Sequence, residues 1–395
     1  MDGWPEPSSG NDAASRDDLR TVRTANVPLD HPDPIAALAA QLGGGPFSLV
    51  TLYSAPSPRF ADHIRQLQDH FSEAKIIGCT TAGELSSQGY SEGGMVATAL
   101  PKTHFATNVL RIGPLDRIDS QDLIGQIIRA RATLEGTATG MAHEFAFLLI
   151  DGLSRKEDEL ATTLTSALGG VPLFGGSAGD GTAFQNTYVA VHGKVAQNVA
   201  ALALVRSHCR AKVFTLNHFI PTDTRMVITA ADPGGRIVQA INAEPAAREL
   251  ARIMGKDTNQ IDTFTFASNP LVVRFGGSHH VRAIKRVTPE GYLEFFSAID
   301  EGLVLTLADA QDMVSHLETQ LAAMSAGGAP DAIIACDCVL RRIEAQQKQK
   351  THALSQVLVR HKVAGFSTYG EQINAMHVNQ TMTGVALYPP DKPAK

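Results

Sequence analysis

The sequence predicts an α/β protein in which one strand–helix–strand–turn–strand unit is used three times, its strands joining into mixed sheets. Three observations carry that expectation. Each unit opens with an apolar run of strand length followed by a helical segment, and each places a glycine, Gly78, Gly175 or Gly365, at the second strand. Each then enters a polar turn that holds an acid: Glu84, Asp180 and Glu371.

The first unit reads as a helix over 34–42, a strand over 47–53, a turn with Pro56 and Pro58, a helix over 59–71, a short buried strand over 75–79 and a closing strand over 95–100. In the second, a strand over 145–150 leads into a helix over 154–168, with Ser154 as its expected N-cap and Glu157 and Asp158 in its first turns. Its second strand reaches Phe174 and its last covers 198–205. The third unit has strands over 332–335, 362–366 and 383–387 around a helix over 342–359. Between the second and third units, about 210–326 is β-rich, with helices expected over 245–254 and 309–324. The segmentation that follows is a flexible leader over 1–33, an N-terminal domain over 34–209 and a C-terminal domain over 210–395. The leader is rich in Ser, Asp, Pro and Gly and lacks the apolar centre of a secretion signal.

With 395 residues, 44% of them hydrophobic, the chain is long enough for the cores of two or three soluble domains. A net charge of -6 gives no basic footprint for nucleic acid or an anionic membrane surface, and neither is expected as a partner. No apolar run approaches the ~18 residues of a membrane span. Four cysteines in so long a chain fit a reducing compartment, so a cytoplasmic protein is expected. Cys336 and Cys338 alternate on a strand, but no second Cys or His pair at zinc spacing accompanies them, and buried structural thiols are the better reading.

Catalysis finds little support. A carboxylate in a glycine turn can act as a general base, but an acid recurring in all three turns fits a structural capping role. No Ser-His-Asp order and no G-x-S-x-G elbow is present, and residues 175–181 lack the Lys-Ser/Thr of a phosphate loop. No enzyme is expected. The densest concentration of polar and aromatic groups is 365–387, where Tyr369, Met376, His377, Asn379 and Met382 are additions peculiar to the third unit and suit a ligand-binding rim.

The runs 77–84, 173–180, 365–371 and 379–381 together resemble the FIST family of bacterial sensory proteins, which have N- and C-terminal FIST domains. The runs 242–247, 336–344 and 375–381 are similar to the haem-binding, nitric-oxide-sensing branch of that family. The resemblance implies non-covalent haem b, nitric oxide as the signal, and a separate histidine kinase or a diguanylate cyclase/phosphodiesterase as the regulated partner, with biofilm behaviour as output. No kinase or cyclase segment is legible in the chain, so the effect is expected to pass to another protein. The oligomeric state is left open, a homo-oligomer included.

Haem b needs an apolar cavity and usually an axial His, Cys, Met or Tyr, and the absence of C-x-x-C-H argues against covalent attachment. His377 and His218 are the two candidate iron ligands, each alternatively a hydrogen-bonded core histidine. His279 or His280 is a weaker candidate, since adjacent strand residues face opposite ways, and His192 reads as turn chemistry. Tyr369, Asn379 and Met376 would line the pocket, and Arg341 with Arg342 would pair with propionates or, equally, answer Glu344 within a helix. The alternative reading is a haem-free sensor of a small molecule such as an amino acid.

Overall fold

The computed structural model describes residues 21–275 and 277–390. The first unit contains β1 (Arg23–Pro28), α1 (Pro34–Leu42), β2 (Phe47–Ser54), α2 (Phe60–His70) and β3 (Lys75–Thr80). It continues through the hairpin of β4 (Glu84–Ser86) and β5 (Gly89–Ser91) to β6 (Gly94–Pro101). The second contains β7 (Phe105–Ile112), α3 (Ser120–Thr137), β8 (His143–Ile150), α4 (Glu157–Leu168) and β9 (Leu173–Ser177), then the hairpin of β10 (Val189–Val191) and β11 (Lys194–Ala196), and β12 (Ala200–Ser207).

β13 (Cys209–Leu216) opens the third unit, which an inserted region interrupts. That region comprises β14 (Phe219–Asp232), β15 (Ile237–Ile241), β16 (Glu244–Pro245), α5 (Ala246–Ile253), α6 (Thr263–Ser268), β17 (Leu271–Phe275), β18 (Ser278–Arg282), β19 (Ile284–Val287), β20 (Leu293–Phe295), β21 (Val304–Ala310) and α7 (Met313–Ala323). The unit then resumes with β22 (Ala332–Cys338), α8 (Val339–Gln347), α9 (Thr351–Arg360), β23 (Val363–Thr368), the hairpin of β24 (Glu371–Ile373) and β25 (Met376–Val378), and β26 (Met382–Pro390). The α/β class and the threefold repeat are as the sequence predicts. No helix among the described residues is long and apolar enough to cross a membrane.

Each unit pairs its first and second strands in parallel across a helical crossover: β2 with β3, β8 with β9, β22 with β23. Each lays its closing strand antiparallel on the first, and one further strand outside that. The hairpins do not stay at home. The sheet of the first unit, β1-β6-β2-β3, is extended by β10-β11 of the second; that of the second, β7-β12-β8-β9, by β24-β25 of the third; and that of the third, β13-β26-β22-β23, by β4-β5 of the first. Three six-stranded sheets are thereby closed into a ring of exchanged hairpins.

One face of each sheet turns to a common core, where Tyr53, Cys79, Phe147, Phe174, Cys336 and Phe366 from all three units are buried together. Tyr53 stacks on Phe366 and Phe147 on Phe174, with ring centroids 4.8 and 4.6 Å apart. The opposite faces are covered by helices: α1 and α2, α3 and α4, and, on the third sheet, α9 of the unit with α7 of the inserted region. The inserted region forms the fourth, eight-stranded sheet over a separate core.

Several expectations are corrected by local chemistry. The leader expected over 1–33 does not extend through residues 23–28, which pair with β6 as β1; residues 1–20 lie outside the described residues. The second unit's helix begins at Glu157 rather than Ser154, because Ser154 donates to the Asp151 carbonyl and accepts from Lys156 N–H within a turn. The helix expected over 342–359 is two helices, broken where Gln349 adopts φ +55°. α7 starts at Met313, capped by Asp312, whose carboxylate accepts from Ser315 N–H at 2.8 Å. Asp180 is not the counterpart of the other turn acids. Glu84 sits opposite Phe366 and Glu371 opposite Gly176, but the equivalent position opposite Cys79 is Val189, after a longer turn.

The recurrent glycine has a steric cause. Gly78, Gly175 and Gly365 lie between the first strand of their own unit and the hairpin of another. A Cβ on Gly78 would lie 2.5 Å from the Leu52 carbonyl oxygen, and on Gly175 or Gly365 closer still to those of Leu148 and Ala335. Gly78→Ala is therefore expected to lower the unfolding free energy by about 2–3 kcal/mol, the scale of an overpacked core. Gly44→Ala, where a Cβ meets nothing within 4 Å, should stay within about 0.5 kcal/mol of the parent in denaturant titrations.

Candidate functional site

Ligands of α/β sheets gather outside the carboxyl ends of the strands, where crossovers leave room. The three units bring such ends together at a cleft of about 400 Å³. Ala55 and Pro56 follow β2, Thr81 to Glu84 follow β3, Gly181 and Thr182 come from the long turn of the second unit, and Val339, Arg342, Ile343 and Gln346 from α8 of the third. Ala82 and Val339 make an apolar floor, while Pro56, Glu92, Thr182 and Gln346 are exposed around the mouth.

Two ionisable groups define its chemistry. Glu84 is fully buried; its carboxyl accepts from Thr81 Oγ1 at 2.7 Å and from Gly94 N–H at 3.2 Å. Burial raises its pKa from the ordinary carboxyl value to about 7, against the opposing pull of those two hydrogen bonds and of Arg342. The Arg342 guanidinium lies directly over the turn, where any Cβ on Gly83 would overlap it, and Gly83 takes φ +124°. It donates to the Ser91 carbonyl at 2.9 Å and to Glu92 Oε1 at 2.7 Å. The third unit's counterpart of Glu84, Glu371, is also fully buried; burial pushes its pKa well above the usual range, while it accepts from Thr381 N–H and Oγ1 at 3.1 and 2.7 Å.

Of the residues singled out in the sequence, Glu84 and Arg342 line this cleft; the other candidates fall into two groups that do not. Tyr369, Met376, His377 and Asn379 share the β24–β25 hairpin region. His377 is buried, its Nδ1 3.1 Å from Gln372 Nε2, and its ring packs against Gly370, where a Cβ would stand 2.7 Å from Nε2. Tyr369 donates its hydroxyl to the Asp180 carboxylate and stacks on Phe184 at 4.4 Å. Asp180 in turn accepts from the N–H groups of Phe184, Gln185 and Asn186, so the pair holds the second unit's long turn in place. Asn379 accepts from Ser297 Oγ at 2.9 Å, and Met376 is half-buried.

The second group is a buried chain of charge under α8. Tyr90 donates to Asp337 at 2.5 Å, Asp337 accepts from Arg341 Nε at 2.7 Å, and Arg341 Nη1 reaches His218 Nδ1 at 2.9 Å. His218 Nε2 meets Glu344 at 3.0 Å, and Glu344 meets Lys348 at 2.6 Å. With Arg341 donating to Nδ1, the neutral ring carries its proton on Nε2, and burial draws its pKa down. Both ring nitrogens of His218 are thus occupied.

These placements bear on haem b. An axial imidazole must open a nitrogen onto a cavity; His218 has neither nitrogen free, and His377 is walled in by Gln372 and Gly370. The candidate ligands as placed do not fit the group. Among the described residues no cluster of three or more His, Cys, Asp or Glu side chains is set to hold a metal ion. Cys336 and Cys338 are free and buried, as structural thiols are, and burial pushes both thiols well up in pKa. His192, at φ +50° in the β10–β11 turn, is turn chemistry. Glu92 and Thr182 carry no site signal in the sequence; for Gln346 the signal is its place one turn after Arg342 on the helix that leaves a parallel strand.

Two variants test these assignments. An unfolded Glu84 ionises near its ordinary value of 4.5, whereas the folded state holds the proton to about 7. The stability linked to this proton is present below 4.5 and is lost as pH rises through 7. Glu84→Gln should therefore change the stability difference between pH 5 and pH 8 by on the order of 2 kcal/mol, flattening the profile in denaturant titrations. His218→Ala leaves Arg341 Nη1 and Glu344 Oε2 without this partner in the core and should cost about 3 kcal/mol by the same measurement.

The FIST N domain model matches residues 48–244 and the FIST C domain model residues 246–374. No curated protein matches the chain. FIST domains are sensory domains of signal transduction. With both domains matched in order over most of its length, the chain belongs to the FIST family.

Proposed function

We propose that this protein is a haem-free sensory module whose cleft between the three repeats binds a small amphipathic molecule such as an amino acid. The observation that carries the reading is the cleft itself: an apolar floor at the carboxyl ends of parallel strands, with a buried carboxyl and a buried guanidinium, walled by segments of both FIST domains. A ligand there would bridge the hairpin region of the first unit and α8 of the third, so occupancy biases how the two domains sit together. The signal then passes to a separate histidine kinase or cyclic-di-GMP enzyme.

The competing proposal is a cytoplasmic haem-based nitric oxide sensor. The resemblance of residues 242–247, 336–344 and 375–381 supports it, and it requires His377 to leave its packing against Gly370. One pair of measurements separates the two. An amino-acid ligand present at about 100 times its Kd should stabilise the protein by about 2.7 kcal/mol, raising Tm by several degrees. Thr182→Trp at the mouth should abolish that shift. A Soret band that moves with nitric oxide, lost in His377→Ala, would decide for haem instead.

A further inference from the structure

Arg342 sets an electrostatic problem that the fold solves in an unusual place. Its side chain is only 6% exposed, yet the ion pair it makes is with Glu92, whose side chain is 68% exposed. A buried guanidinium needs a counter-ion, and this one comes from a surface carboxylate next to Gly93 and Gly94. Gln346, one turn further along α8, donates to the same Glu92 oxygen at 3.2 Å. Arg342 and Gln346 thus form a two-donor clamp on one carboxylate oxygen, with both residues lining the cleft. Next to the clamp are apolar groups, Ala82, Val339 and Ile343.

We infer that the Arg342–Gln346 clamp is the carboxylate subsite of the cleft, that Glu92 occupies it as an internal stand-in, and that the ligand is a small carboxylate with an apolar body which displaces Glu92. The inference rests on the cleft being the ligand site proposed above. Glu84, beneath the turn, faces Arg342 as well, but it accepts from Thr81 and Gly94 and makes no ion pair with the guanidinium. Displacement costs little: an exchange of one carboxylate for another keeps the buried charge paired throughout. Glu92 loses an ion pair exposed at one end and the exposed hydrogen bond from Gln346. Self-occupation lowers apparent affinity by the fraction of time the clamp is filled. Because Arg342 also holds the Ser91 carbonyl, the exchange takes place at the root of the β4–β5 hairpin that joins the first unit to the third.

The test is calorimetric titration of the full chain with hexanoate, hexylamine as the control, on the parent, Glu92→Ala and the Glu92→Ala/Gln346→Ala double variant. Glu92 and Gln346 are exposed, so these proteins should fold. Glu92→Ala should tighten hexanoate binding by about three- to five-fold, the worth of an exposed ion pair. The second substitution should reverse the gain, and hexylamine should not bind. Unchanged or weaker hexanoate binding in Glu92→Ala, preference for hexylamine, or no hexanoate binding to any variant would overturn the inference. Amino acids that stabilise the parent and Glu92→Ala equally would keep the sensory reading and sink only the stand-in; no response to amino acids or hexanoate would sink both.

Discussion

The constraint on which the structure depends is the exchange of hairpins among the three units. A parallel pair such as β2–β3 leaves the outer edge of β3 with unpaired N–H and C=O groups, and an open edge invites association. Here each edge is closed by a hairpin from another unit, β10 on β3, β24 on β9 and β4 on β23. Because the exchange is cyclic, no unit completes its own sheet. The carboxyl ends of the three parallel pairs are drawn to the same side, and the cleft is what remains between them.

The same exchange explains why two adjacent arginines have opposite fates. α8 leaves β22 beside the β4–β5 hairpin, so successive residues face different surroundings. Arg341 turns inward to Asp337 and His218, in a chain that starts at Tyr90 on the hairpin and ends at Lys348. Arg342 turns to the cleft and grips the next residues along the same hairpin, Ser91 and Glu92. One helix thus fastens the β5 side of the hairpin twice, once through a buried network at Tyr90 and once through a pair open to solvent at Glu92. The first fastening is costly to break; the second can be exchanged for another carboxylate without leaving the guanidinium unpaired.

Much of the fold was legible in the sequence because local signals agreed: apolar strand runs, helical periodicity, and a glycine at the same place in each unit. The glycine marked the repeat correctly, although its cause, a carbonyl on one side and a foreign hairpin on the other, is a tertiary fact. The candidate site was less legible. His377 and Tyr369 stood out as polar groups peculiar to one repeat, but such additions also arise where a repeat must lock its neighbour's loop, as Tyr369 does with Asp180. His218 sat in an apolar run, and nothing local shows that Arg341 and Glu344, more than a hundred residues away, would take both its nitrogens. Glu92 and Thr182 have no pattern of their own and gain meaning only from what they face.

The arrangement makes the cleft a point of leverage rather than a passive hollow. Its walls come from the first and second units within one FIST domain and from α8 within the other, and the hairpin that closes the third sheet ends at its mouth. On the proposed reading, a ligand competing for Arg342 would act on one of the hairpin's two fastenings and leave the Tyr90–Asp337–Arg341 network intact. Such a change is local in energy, the difference between two carboxylates on one guanidinium. On the proposed reading it would still reach the interface of both domains, because the hairpin it touches is part of the other domain's sheet.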